Sequence, residues 1–123
     1  MSKIYGVIAI VVLCGLSAVP AQGRDQNGAA AFAAAADGFT SCLTATVRMG
    51  MTTKMDPAKF KEGFAKSCKA EEEHFRGEAI KFAMANGRAE AAAIAEVDGN
   101  IANGRRIFAA DQEKYVTSGV VPR

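Results

Sequence analysis

The sequence predicts an all-α protein: a small three-helix bundle in which a disulfide-stapled antiparallel helical hairpin carries a third, kinked helix, after a cleaved signal peptide. Three observations predict it. Apolar residues recur three, four and seven apart through alanine-rich stretches, and no stretch alternates apolar and polar residues as a half-buried strand does. Helix start and stop signals divide the chain at Asp56-Pro57, Asn86-Gly87 and Ser118-Gly119. Two cysteines, Cys42 and Cys68, fall on the apolar faces of successive helical stretches.

The chain opens on a leader. Met1-Ser2-Lys3 supplies one positive charge, and Ile4 to Ala21 is uncharged with a strongly apolar centre from Ile8 to Leu13. Gly15, Ser17, Ala18, Pro20 and Ala21 then give the small, helix-weakening end of a secretory signal. The expected cut falls between Ala21 and Gln22, with a cut after Gly23 as the alternative. One rival reading is a retained membrane anchor, since a span needs about 18–20 apolar residues. Another is lipidation of Cys14, although Leu13 is larger than the residue that normally precedes a lipidated cysteine. Removing residues 1–21 takes away Lys3 and Cys14, so Cys42 and Cys68 are left as the single pair. Export of such a chain implies a disulfide between them. The short leader, the alanine-rich body and the lack of an Asn-x-Ser/Thr sequon point to a bacterial periplasm. The expected location is therefore periplasmic or secreted, with no stable membrane anchor after cleavage.

Residues 22–28 are polar and glycine-containing, and are expected to form a flexible lead to a single all-helical domain over residues 29–118. Ala29 to Met49 forms the first helix. Alanine has the highest helix propensity, and Phe32, Ala36, Phe39, Leu43 and Val47 share one face. Gly50 to Met55 is the connector. Asp56 then offers a carboxylate to free first-turn amides, and Pro57 loses no hydrogen bond at the first helical position. The second helix is expected to run from there to about Ala85, with Phe60, Phe64, Cys68, Phe75, Ala79 and Phe82 inward. Its outer face carries the opposite-charge pairs Glu62–Lys66, Lys69–Glu73 and Glu72–Arg76. Asn86-Gly87 stops it, because glycine accepts a left-handed cap.

The third stretch, Ala89 to Thr117, repeats Ile94, Ile101, Phe108 and Tyr115 every seven residues, with Val97 between. Gly99, Asn100, Asn103 and Gly104 weaken its middle and predict a kink or break. Residues 119–123 form the tail, where Pro122 cannot continue a helix.

The hairpin passes a geometric test. At 1.5 Å per residue, Cys42 and Cys68 stand roughly 10 and 16 Å from the connector, a mismatch of about one turn. A six-residue connector absorbs that.

Composition bounds the function. The chain has 123 residues, 15 Lys and Arg against 13 Asp and Glu, 7 Phe and no Trp. That supports one domain, and too little charge surplus for a nucleic-acid or polybasic membrane-surface binder. Candidate chemistry is sparse. Glu71 and His74 are three apart on a helix and can face one metal, as in di-iron carboxylate bundles, but those need two such units and two further Glu. His74 is the sole histidine. Met49, Met51 and Met55 offer soft thioethers for Cu(I) around the connector. Non-covalent haem would use His74 with Met49, Met51 or Met84. Against these stands a solvated helix face and methionines that fill gaps. Ser41, Ser67 and His74 lack a Gly-x-Ser-x-Gly elbow, the cysteines are not a Cys-x-x-Cys pair, and there is no glycine-rich phosphate loop. Arg88, Arg105 and Arg106 are expected to pair on the surface with Glu90, Asp98 or Glu113.

The expected function is non-enzymatic binding or interaction with an unidentified protein partner or a second copy of the chain, without a resident cofactor. The alternatives are a periplasmic stress or chaperone-like protein that acid would loosen by neutralising Glu71–Glu73, and a copper or haem binder.

Overall fold

A computed structural model describes residues 22–121, with side chains from residue 28 onward. The leader read over residues 1–21, including Cys14, lies outside the described residues, as do Pro122 and Arg123 of the tail. The described residues form four helices and no strands: α1 (Gln22–Thr52), α2 (Pro57–Phe64), α3 (Lys69–Ala85) and α4 (Glu90–Ser118). The all-α class stands. The three-helix count does not, because the long second helix expected from Asp56 to Ala85 is two helices.

Helix α1 is longer than expected at both ends, taking in the residues read as a lead and continuing through Gly50 to Thr52. Gly50 makes a close approach possible there. A Cβ on it would lie 2.5 Å from the Phe60 ring and 3.3 Å from Gln112 Cγ. The true connector is therefore short, Thr53 to Asp56, and turns through Lys54 in the left-handed region. Asp56 caps α2 as its sequence predicts, its Oδ1 accepting from the Ala58 and Lys59 amides at 3.1 Å. Phe60 and Phe64, one turn apart, stack at 5.1 Å between centroids and are buried.

The break at Ala65–Cys68 has a distant cause. Ser67 folds back, its hydroxyl donating to the Phe64 carbonyl at 2.8 Å, and Cys68 takes a left-handed φ of 57°. Arg105, from the middle of α4, then fills the gap. Its Nη1 donates to the Phe64 carbonyl at 2.7 Å and its Nη2 to the Ser67 carbonyl at 2.6 Å. Its Nε donates to Glu72 in the first turn of α3. The guanidinium carbon also lies 5.6 Å from the Phe39 ring centroid and 5.5 Å from that of Phe64. Carbonyls released at the end of one helix and a carboxylate at the start of the next thus meet one planar donor fork.

The pairings give the topology. Along α1, Phe32 meets Phe82, Phe39 meets Phe75 and Cys42 meets Cys68, so α3 runs antiparallel to α1. The stapled antiparallel hairpin is thus formed, and its second arm is α3, the C-terminal part of the helix expected from Asp56 to Ala85. Helix α2 packs on α4, where Lys61 pairs with Glu113 at 2.6 Å. Helix α4 runs antiparallel to α3, with Arg76 gripping Asp98 through two hydrogen bonds of 2.6 and 3.0 Å. The core is Phe39, Leu43 and Val47 of α1, Phe60 and Phe64 of α2, Ala79 of α3, and Val97 and Ile101 of α4. Gln112 is buried among them, its amide donating to the Met55 carbonyl at 2.9 Å. Residues Gly28–Thr52 are long and apolar enough to cross a membrane, yet the same helix supplies the central row of this core.

The third stretch does not break at its weak middle, since α4 continues as one helix through Gly99–Gly104. Val97 and Ile101 are buried on either side of the weak point and hold the backbone by packing. No atom within 4 Å would meet a Cβ on Gly99 or Gly104. Gly99→Ala is therefore expected to stabilise the fold by about 0.5–1 kcal/mol through propensity alone. Gly50→Ala is expected to destabilise it by about 1–3 kcal/mol, because the Phe60 ring must move. Urea midpoints of the two variants check the opposite signs.

Surface pairing also differs from expectation. Lys69 bonds Glu72 at 3.1 Å rather than Glu73, Arg88 pairs with Glu96 at 3.3 Å, and Arg105 is drawn inward. Burial pushes the Glu72 carboxyl up, but hydrogen bonds from Arg105 and Lys69, with their charges, outweigh it and hold the group below its ordinary 4.5. Hydrogen bonding from Arg76 similarly lowers exposed Asp98. Carboxyls with a depressed folded pKa contribute stability above their unfolded pKa and lose it as pH falls through the folded one. The urea midpoint is thus expected to change little between about pH 7 and 5 through these groups and to drop below about pH 4. Arg105→Met should make that drop shallower.

Candidate functional site

The feature best built for recognition is a cleft where α1, α3 and α4 diverge. Phe75, Ala79, Phe82 and Ala83 stand four, seven and eight apart on α3, which places them on one stripe. Phe32 comes down from α1 and stacks on Phe82 at 5.0 Å with planes 3° apart, and meets Phe75 at 5.8 Å with the rings tilted by 32°. Val97 of α4 forms the floor with buried Ala79. The two alanines sit between phenylalanines, and the missing side-chain volume opens a cavity of about 270 Å³.

The rim is polar. Asn86 donates its side-chain amide to the Phe82 carbonyl at 2.7 Å, Arg88 pairs with Glu96, and Asn100 faces the opening from α4. Walls of aromatic and methyl groups favour an apolar guest, at about 25 cal/mol per Å² of area removed from water. Among the described residues, the lining offers no hydroxyl or thiol nucleophile. Glu96, a carboxylate of the described lining, is tied to Arg88.

The residues singled out by sequence are scattered. Glu71 and His74 are both exposed on α3. Among the described residues, His74 belongs to no group of three or more His, Cys, Asp or Glu side chains close enough to share an ion. Glu71 does: its carboxylate lies within 4.8 Å of the sulfurs of both Cys42 and Cys68. The two cysteines lie at disulfide distance, their sulfurs 2.03 Å and their Cα atoms 5.9 Å apart. Met49 is exposed, whereas Met51 and Met55 pack against the core, so the three thioethers do not share a face. Met84 lies ten residues beyond His74 on α3, about 15 Å along the axis and too far to share one iron with it. Ser67 donates its hydroxyl to the Phe64 carbonyl.

Sequence reasoning placed Phe32, Phe75 and Phe82 on apolar faces but treated them as filled core. The signal for a cleft was the small Ala79 and Ala83 on the same stripe. Arg105 was missed because its partners are 33 to 41 residues away. No protein-family model, curated protein or solved structure matches the chain.

Proposed function

We propose that this is an exported, non-enzymatic binding protein that takes an apolar group into the cleft lined by Phe32, Phe75 and Phe82. The observation that supports the reading is the cleft itself: aromatic walls, a polar rim, and about 270 Å³ between three helices. The guest is a small aromatic or aliphatic group, free or carried on a partner protein, because the lining is apolar and Arg88 already has Glu96 as counter-charge. The leader supports export, and export in turn suits a fold held by a cysteine pair.

A titration with the neutral dye N-phenyl-1-naphthylamine tests the binding. Saturable one-to-one fluorescence enhancement is expected, displaced by a medium-chain alcohol. Ala83→Leu fills the cleft from its half-buried wall and is expected to weaken the dye about tenfold or more, since losing that pocket removes at least ~1.4 kcal/mol. Equal binding by this variant, with an unchanged melting curve, would refute the cleft assignment. Export is checked separately by N-terminal sequencing of the protein from its host's envelope, which should begin at Gln22 or Arg24.

A further inference from the structure

We propose that the Cys42–Cys68–Glu71 corner is a zinc site when its cysteines are reduced, so that the same side chains hold α1 to α3 either by a disulfide or by a divalent ion. The three donors come from two helices and converge without further folding. Cys42 lies midway along α1, Cys68 caps α3, and Glu71 stands in the first turn of α3 with both sulfurs within 4.8 Å of its carboxylate. The Cα atoms of the cysteines are only 5.9 Å apart. Two thiolates at about 2.3 Å from a tetrahedral zinc are about 3.75 Å from each other, close to the contact distance of two unbonded sulfurs. Reduction therefore needs side-chain rotation rather than helix movement.

The chemistry of the donors selects the ion. Two thiolates and one carboxylate suit Zn²⁺, and a water completes the tetrahedron because Glu71 is on the exposed side of the corner. Three anionic ligands leave one excess negative charge, which the positive end of the 17-residue α3 offsets. The hydroxyl of Thr46, 3.7 Å from the Cys68 sulfur, stands beside that ligand and donates to the Cys42 carbonyl. The steps balance. A dithiol reductant gives two electrons and two protons to the disulfide and becomes a disulfide itself. The two freed thiols then release two protons as Zn²⁺ binds.

The test uses the protein in two states, oxidised and reduced by a phosphine that is then removed, titrated with Co²⁺ and then with Zn²⁺. The reduced protein is expected to take up one Co²⁺, with thiolate-to-cobalt charge-transfer absorption and the visible bands of a tetrahedral ion, both abolished by one equivalent of Zn²⁺. The oxidised protein should show neither. Glu71→Gln should weaken Zn²⁺ binding at least tenfold, and because Glu71 is exposed this variant keeps the fold even where a cysteine variant does not. His74→Ala should leave affinity unchanged. Absence of charge-transfer absorption in the reduced protein, full affinity in Glu71→Gln, or loss of affinity in His74→Ala would each overturn the site. These outcomes are independent of the apolar cleft, which lies towards the opposite end of α3.

Discussion

Replacing Arg105 by methionine is expected to destabilise the protein by about 3 kcal/mol. The side chain is 14 % exposed, and so is nearly removed from water along with its partner Glu72 at 16 %. Methionine keeps the stem between Phe39 and Phe64 but removes every donor. Two carbonyls at the α2–α3 joint then lose partners, at about 1 kcal/mol each, and a half-buried carboxylate loses its main counter-charge. Arg105→Lys separates the contributions. It restores charge beside Glu72 without the planar fork that reaches Phe64 and Ser67, so it should recover less than half of the loss. Urea unfolding at pH 7 measures both. A Lys variant as stable as the parent would mean that charge, rather than the fork, holds the joint.

The second large effect is expected at the staple. Converting both Cys42 and Cys68 to serine should cost about 2–5 kcal/mol relative to the bridged form, with about 3–4 kcal/mol from the chain entropy of a loop this long. For a domain whose whole stability is about 5–10 kcal/mol, that is a large share, and it lowers the melting temperature by roughly 10–30 °C. The bridge joins Cys42 of α1 to Cys68, the residue that precedes α3, and so limits how far the two helices can sway apart at the cleft where Phe32 and Phe82 meet. Loss of the bridge should therefore reduce dye binding in the cleft as well as melting temperature. A melting curve unchanged between bridged and doubly substituted protein would show that the helices need no staple.

Much of the architecture was legible because it is written in local chemistry. Asp56-Pro57 and Asn86-Gly87 cap helices whatever lies elsewhere, and a three-and-four spacing of Phe, Leu and Val marks the same face in any fold. The cysteine pairing was legible for another reason: with Cys14 set aside as part of the expected leader, two cysteines have one partner choice. The break at Ala65–Cys68 was not legible. Gly63 is the one local weakness there, and the guanidinium that holds the turn arrives from Arg105 across a long stretch of chain. The opposite error, a break expected near Gly99–Gly104, has the same root. Propensity registers the glycines but not the burial of Val97 and Ile101 that overrides them. Of the candidate ligands, Glu71 was singled out by its spacing to His74 along one helix, and its neighbours across the fold were not legible. Helical spacing points to His74, whereas the hairpin brings Cys42 beside it.

The account rests on the cleft being a place where something apolar is held. Amide chemical-shift mapping of the bridged protein with a small neutral aromatic such as indole tests this most directly. Saturable shifts are expected to cluster at Phe32, Phe75, Ala79, Phe82, Ala83, Val97 and Asn100, and to be absent in Ala83→Leu. Shifts spread over the surface, or centred on residues outside that cleft, would contradict it.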